Sequence, residues 1–254
     1  MNHHASLIIT NGKFHTVDRQ NPTAQAVAIR DGKFLAVGSE SEVMQHAGPE
    51  TQVIDLHGHT AIPGLNDSHL HLIRGGLNYN LELRWEGVPS LADALRMLKE
   101  QALRTPSPQW VRVVGGWTEF QFAERRMPTL DEINQAAPDT PVFILHLYDR
   151  ALLNRAALKV VGYTKDTPNP PGGEIQRDAN GNPTGMLIAK PNAMILYATL
   201  AKGPKLPLEQ QVNSTRQFMR ELNRLGLTSA IDAGGGFQNY PEDYQVIAEL
   251  HEKK

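Results

Sequence analysis

One stretch constrains the fold more than any other: Pro63-Gly64-Leu65-Asn66-Asp67-Ser68-His69-Leu70-His71-Leu72. A Pro-Gly turn feeds an apolar run of strand length, and on a strand the side chains of residues two apart share a face. Asp67, His69 and His71 therefore point the same way. Neutral imidazole is a common ligand for zinc and similar divalent ions, and Asp67 can orient a ring or support the site from behind. A lone His-x-His is as readily a pair of satisfied core histidines. The turn, the carboxylate two residues ahead and the apolar Leu65, Leu70 and Leu72 weigh toward a metal. The chain has no cysteine, so disulfides and thiolate sites are excluded, and ligands have to come from His, Asp, Glu or a modified Lys. A second His-x-His, His57-Gly58-His59, lies in a polar linker without the preceding carboxylate and is the weaker pair.

With 254 residues, 40% of them hydrophobic and 20% charged, the chain can bury a sizeable core. A net charge near −2 and the lack of a long basic run speak against nucleic acid or an anionic membrane as partner. A small-molecule substrate is the expectation. No apolar run reaches about 18 residues, and the first residues are not a basic segment followed by an apolar core, so the expected location is cytoplasmic. His3 and His4 read as part of a frayed end.

From residue 6 to 62 short strands (7–9, 26–29, 34–37 and 53–56) are punctuated by Asn11-Gly12 and Asp31-Gly32. Asp-Gly between two apolar runs signals a hairpin, because both central residues have to tolerate positive φ. After residue 63 apolar runs alternate with amphipathic helices, the pattern of βα units around a parallel sheet. Strands are expected at 65–72, 111–114, 141–146 and 227–231. Ser90 with Asp93 and Thr129 with Glu132 mark helix starts. Residues 154–162 form a short helix, and 173–176 with 184–188 a hairpin. Pro207 opens a long helix with Val212, Thr215, Met219, Leu222 and Leu225 on one face, stopped by Gly226. A complete (β/α)8 barrel needs eight strands. The expected fold is α/β: a small β-sandwich-like domain over 1–62, then over 63–254 a partial TIM-type (β/α) barrel, its first half. Sites in such barrels form at the C-terminal strand ends, where His71, Trp117, His146 and Asp232 fall.

The motif Pro63-Gly64-x-x-Asp67-x-His69-x-His71 resembles the first barrel strand of the amidohydrolase superfamily of metal-dependent hydrolases. Similarity to its YtcJ-like members runs from about residue 6 onward. The resemblance implies hydrolysis of a C–N bond such as an amide by metal-activated hydroxide, with one or two divalent ions, zinc first among them. It implies that His69 and His71 are metal ligands. Two imidazoles are too few for zinc, which takes three or four protein ligands. Lys190 matches the segment where YtcJ-like proteins carry a Glu or Lys and is the candidate third ligand; the alternative is an ordinary solvated lysine beside Pro191. Trp117, after two glycines, either lines a substrate pocket or plugs the barrel. His146 is either a pocket or ligand residue or a core histidine, and Leu147-Tyr148-Asp149-Arg150 stands where many relatives have Gly-His. Gly234-Gly235-Gly236 reads as a flexible loop rather than an anion cradle. The later His ligands and the Asp proton shuttle of the superfamily have no counterpart before Lys254. A second expectation therefore stands beside the enzyme: a truncated, catalytically incomplete amidohydrolase acting as a non-enzymatic or regulatory fragment. The superfamily completes its β domain with a segment after the barrel, so unpaired strand edges here favour association into a homo-oligomer.

Overall fold

In the computed structural model residues 4–234 and 239–252 are described, and they fall into two compact units. The first comprises the chain up to Asp67 together with Gly226–Ser229; the second comprises Ser68–Leu225 and the chain from Ala230. The first unit thus runs past residue 62 and takes in a piece from far along the sequence.

In the first unit, β1 (Leu7–Thr10), β4 (Ala26–Arg30), β5 (Lys33–Gly38) and β6 (Gln52–Asp55) form a sheet in the order β5-β4-β1-β6. A smaller sheet, in the order β3-β2-β7, joins β2 (Lys13–His15), β3 (Thr23–Ala24) and β7 (Thr60–Ala61). Asp31 and Gly32 turn β4 into the antiparallel β5 with φ of 50° and 71°, the conformation that an Asp-Gly pair tolerates. Ser39 caps α1 (Glu40–Met44), and the Glu42 carboxylate accepts from the Ser39 N–H to complete a capping box. Helix α1 brings Val43 into a core with Ile8, Ala26 and Ala28.

The second unit is built on a six-stranded sheet of β9 (Glu82–Leu83), β10 (Val111–Val113), β11 (Val142–His146), β12 (Arg150–Leu153), β13 (Gly173–Arg177) and β14 (Pro183–Ala189). Its order is β13-β14-β12-β11-β10-β9. β9, β10 and β11 run parallel, while the pairings of β11 with β12, β12 with β14 and β14 with β13 are antiparallel. Alternate residues feed two cores. Val111, Val113, Val142, Ile144 and Leu152 pack with Leu91 and Leu98 of α3 (Leu91–Arg104) and Ile133 of α4 (Leu130–Ala136). Phe143, Leu145, Ala151 and Leu153 pack with Ala157 of α5 (Arg155–Val161) and Ile195 and Leu196 of α6 (Met194–Leu200). A strand covered on both faces reads as an unbroken apolar run, which is what the sequence shows at 142–145.

The four strands expected after residue 63 do not form one parallel sheet, and this corrects the sequence reading. β10 and β11 belong to the mixed sheet, whereas β8 (Leu65–Leu70) pairs with β15 (Leu227–Asp232) in a separate two-stranded sheet. The Leu65 N–H donates to the Gly226 carbonyl and the Ala233 N–H to the Leu70 carbonyl, so the two strands advance together, in parallel. The strand β12 was not expected; a tight turn with Leu147 at φ 47° folds it back onto β11. Between β8 and β15, α2 (Leu72–Leu77) packs against α7 (Leu208–Arg224) through Gly75-Gly76. A Cβ on Gly76 would meet Thr215 Oγ1 at 2.9 Å, and Ser214 Oγ donates to the Gly76 carbonyl at 2.7 Å. Val212 and Thr215 of the expected apolar face are buried; Leu225 is exposed.

Two polar features carry stability predictions. Asn154 is fully buried, accepts from the Val142 and Ala157 N–H groups, and donates to the Ala137 and Thr140 carbonyls. Asn154→Ala removes the α5 cap and leaves buried backbone groups without that partner, and should lower unfolding free energy by about 2–4 kcal/mol. A urea midpoint within experimental error of the parent would refute this.

Glu132 caps α4 with Thr129, and hydrogen bonding from Arg126, aided by Thr129 against the opposing effect of burial, holds its carboxyl down at about 2 from 4.5. A depressed carboxyl contributes stability that is fully present above the unfolded value and lost as pH falls through the folded one. The stability gap between the parent and Glu132→Gln should therefore be widest above pH 4.5 and close as pH falls toward 2. Urea titrations at several pH values measure it, and a gap independent of pH would count against the assignment.

Candidate metal centre

β8 ends at Leu70, and His71 turns the chain into α2 with φ −97° and ψ 68°. Even so, the rings of His69 and His71 stay adjacent, with centroids 5.4 Å apart and planes at 80°. His69 is exposed and His71 half-buried, so a solute can reach the pair. His71 Nδ1 hydrogen-bonds the carbonyl oxygen of Gly234, just beyond the C-terminal end of β15. A carbonyl only accepts, so Nδ1 carries the proton; in the neutral ring the lone pair is then on Nε2, the arrangement of a metal-ligating histidine held from behind.

Asp232 closes β15 and fixes this end of the second unit. Its Oδ2 accepts from the Ile73 N–H at 2.8 Å, and its Oδ1 accepts from the Gly234 N–H at 2.8 Å and the Tyr240 hydroxyl at 3.2 Å. One carboxylate thereby anchors both the first turn of α2, next to His71, and the turn that carries the Gly234 carbonyl. Sequence reasoning put Asp232 at a strand end but gave it no role, read Gly234 as part of a flexible loop, and missed Tyr240. Gly235 and Gly236 lie outside the described residues.

Asp67, two residues before His69, is half-buried. The remaining sequence candidates have partners of their own. Lys190 follows β14, and its ammonium makes an ion pair with Glu174 at 2.8 Å, its side chain 68% exposed. Trp117 has no exposed surface; it packs on Trp85 and Phe122 and donates its indole N–H to the Leu145 carbonyl at 2.9 Å. His146 is buried under Trp117 with both ring nitrogens taken, Nδ1 at 2.9 Å from Asp149 and Nε2 at 2.7 Å from Glu119. Burial pushes the Glu119 and Asp149 carboxyls up, but their hydrogen bonds, those from His146 among them, bring both below the usual range. With both nitrogens engaged by carboxylates, the ring has none left for a metal. His57 and His59 bond locally, to Asp55 and the Leu56 carbonyl.

Among the described residues, no group of three or more His, Cys, Asp or Glu is arranged to hold a metal ion. The donors brought together, two imidazoles with one Nδ1 pinned by a carbonyl, fit a divalent ion as two of its ligands. No helix among the described residues is long and apolar enough to cross a membrane.

This mixed α/β fold is that of known metal-dependent hydrolases. Uncharacterized metal-dependent hydrolases from Pyrococcus horikoshii and Pyrococcus furiosus superpose on 97% of the chain, with TM-scores of 0.60 and 0.59 and identities of 22% and 21%, covering 46% and 47% of those proteins. A model of the amidohydrolase family matches residues 52–254, and the chain belongs to that family. It is 32% identical over 229 residues to N-substituted formamide deformylase of Arthrobacter pascens, covering 89% of this chain and 42% of that one. It is 35% identical over 189 residues to the putative amidohydrolase YtcJ of Bacillus subtilis, covering 74% of this chain and 35% of that one. The protein LONG AFTER FAR-RED 3 of Arabidopsis thaliana is 32% identical over 92% of this chain and 39% of its own length. The chain thus spans less than half the length of these relatives.

Proposed function

We propose that the protein hydrolyses an amide-type C–N bond of a small molecule with the help of a divalent metal, zinc or a similar ion, held in part by His69 and His71. The observation that carries this reading is the adjacent pair of imidazoles, with the His71 proton directed to the Gly234 carbonyl. When bound, the metal would lower the pKa of water toward neutrality and polarise the carbonyl under attack. The chain's own residues prepare for that. His71 is held in one tautomer by Gly234, and Asp232 holds in place the turn that presents this carbonyl. Rigid support of this kind keeps a ligand from reorienting and raises its basicity. Lys190, His146 and Trp117 have no part in the reading, because their polar groups are committed to Glu174, to two carboxylates and to a core carbonyl.

The Arthrobacter relative's name puts N-substituted formamides first among substrates to assay, followed by other N-acyl amines and lactams. The test is to strip the protein with chelator, reload it with zinc or manganese, and follow amine release. Turnover that requires metal and disappears in His71→Ala is expected. A metal-loaded protein inert toward every amide tested would contradict the proposal.

A further inference from the structure

The second unit contains a cavity of about 140 Å³ whose wall includes Arg74, Arg112, Lys205 and Tyr197 but neither His69 nor His71. Arg112 is the unusual member. It sits on β10 between two core valines, its whole residue only 7% exposed, and one Nη donates to the Pro204 carbonyl at 3.1 Å. Its Nε is buried and has no hydrogen-bond partner among the described residues. An unmade bond on a buried guanidinium is costly, and a β-strand position flanked by apolar residues is an expensive place to keep a cation. Gly203 leaves it room: a Cβ there would come within 3.1 Å of Arg112 Nη2.

The neighbours add positive charge. The Arg74 guanidinium lies over the Tyr197 ring, 5.2 Å from its centre, which holds that cation in place. Lys205 completes a trio of cations on the wall. Two carboxylates oppose them. Asp243 also lines the cavity, where one oxygen accepts from the Asn239 N–H. Glu82 is the cross-strand partner of Arg112 and is bound to Arg84. Burial pushes the Glu82 carboxyl up to about 7, against the pull of Arg84 and Arg112, so near neutrality it cancels only part of the Arg112 charge.

We propose that this cavity is an oxyanion site, taking the phosphate or carboxylate group of a small acid between Arg74, Arg112 and Lys205. Guanidinium forks match the geometry of both groups, and two of the three cations on the wall are guanidiniums. Neither His69 nor His71 lines the cavity, and binding there does not call for a metal.

The test is calorimetric titration of the intact protein with inorganic phosphate and, separately, with malonate, with chloride balancing the ionic strength. Saturable binding with one site per chain is expected for at least one of the two, and which one binds distinguishes phosphate from carboxylate recognition. Arg112→Gln can fail to fold, so the informative variant is Arg74→Gln with Lys205→Gln, both at accessible positions, its fold checked by circular dichroism. Affinity should fall at least tenfold in that variant and stay unchanged in His71→Ala. No saturable binding of either anion, or binding that the double variant leaves intact, would overturn the proposal.

Discussion

Replacing Trp117 by alanine should lower the unfolding free energy by about 4 kcal/mol, the range for emptying a large aromatic site in a packed core. The ring is fully buried, meets Trp85 edge to face at 4.9 Å and stacks with Phe122 at 5.5 Å. Its indole N–H is also the donor to the Leu145 carbonyl on a central strand. Removing the side chain therefore opens a void and deprives a buried acceptor of its partner, and the two penalties act together. For a domain of this size the melting temperature should drop by roughly 10 °C. Trp117→Phe keeps most of the packing and loses the hydrogen bond, so about 1–2 kcal/mol is expected. Thermal and urea denaturation of both variants give the comparison. A tryptophan lining a substrate pocket would behave differently, losing ligand affinity at nearly constant stability, and that outcome would show the core assignment to be wrong.

The second large effect is on metal. His69→Ala and His71→Ala should each weaken zinc binding by more than about a hundredfold, since loss of a supporting group behind a ligand already costs ten- to a hundredfold. Stability should hardly change, because His69 is exposed at the end of β8 and neither ring belongs to a hydrophobic core. Gly234 meets His71 through its backbone carbonyl, which no side-chain substitution removes, so its effect is tested indirectly through Asp232. Asp232→Asn keeps the shape but weakens the acceptance of the Ile73 and Gly234 N–H groups, and a smaller loss of metal affinity is expected. Equilibrium dialysis against a competing chelator measures all three. Equal affinity in the parent and His71→Ala would remove the imidazole pair from the account.

Local signals in the sequence were reliable where the chain interacts with itself at short range. Asp31-Gly32 made its hairpin, Ser90 and Thr129 capped the helices they precede, and the 173–188 segment folded back on itself as a strand pair. The His-x-His strand was legible in part: a strand was expected over 65–72 and ends at Leu70, and the rings of His69 and His71 are adjacent although His71 already turns into α2. Sheet order was not. A run such as Val142-Phe143-Ile144-Leu145 reports that both faces are covered but says nothing about which strand lies beside it, so β10 and β11 were read as barrel strands. β9 has two residues, too few for any periodicity, and the turn before β12 uses Leu147 at positive φ where a glycine would have been a signal. The partners of His146 lie at 119 and 149, and the partner of Lys190 lies at 174. Contacts of that kind are set by tertiary packing, and no motif announces them. The same is true of Gly234, whose contribution is a backbone carbonyl and leaves no mark on residue type.

The central claim, that His69 and His71 together ligate a catalytic-type metal, is tested most directly by X-ray absorption at the zinc edge of the loaded protein. The account predicts backscattering from two imidazole rings per zinc in the parent, reduced to one in His69→Ala or in His71→Ala under saturating zinc. A spectrum with no imidazole contribution, or one that both substitutions leave unchanged, would contradict it.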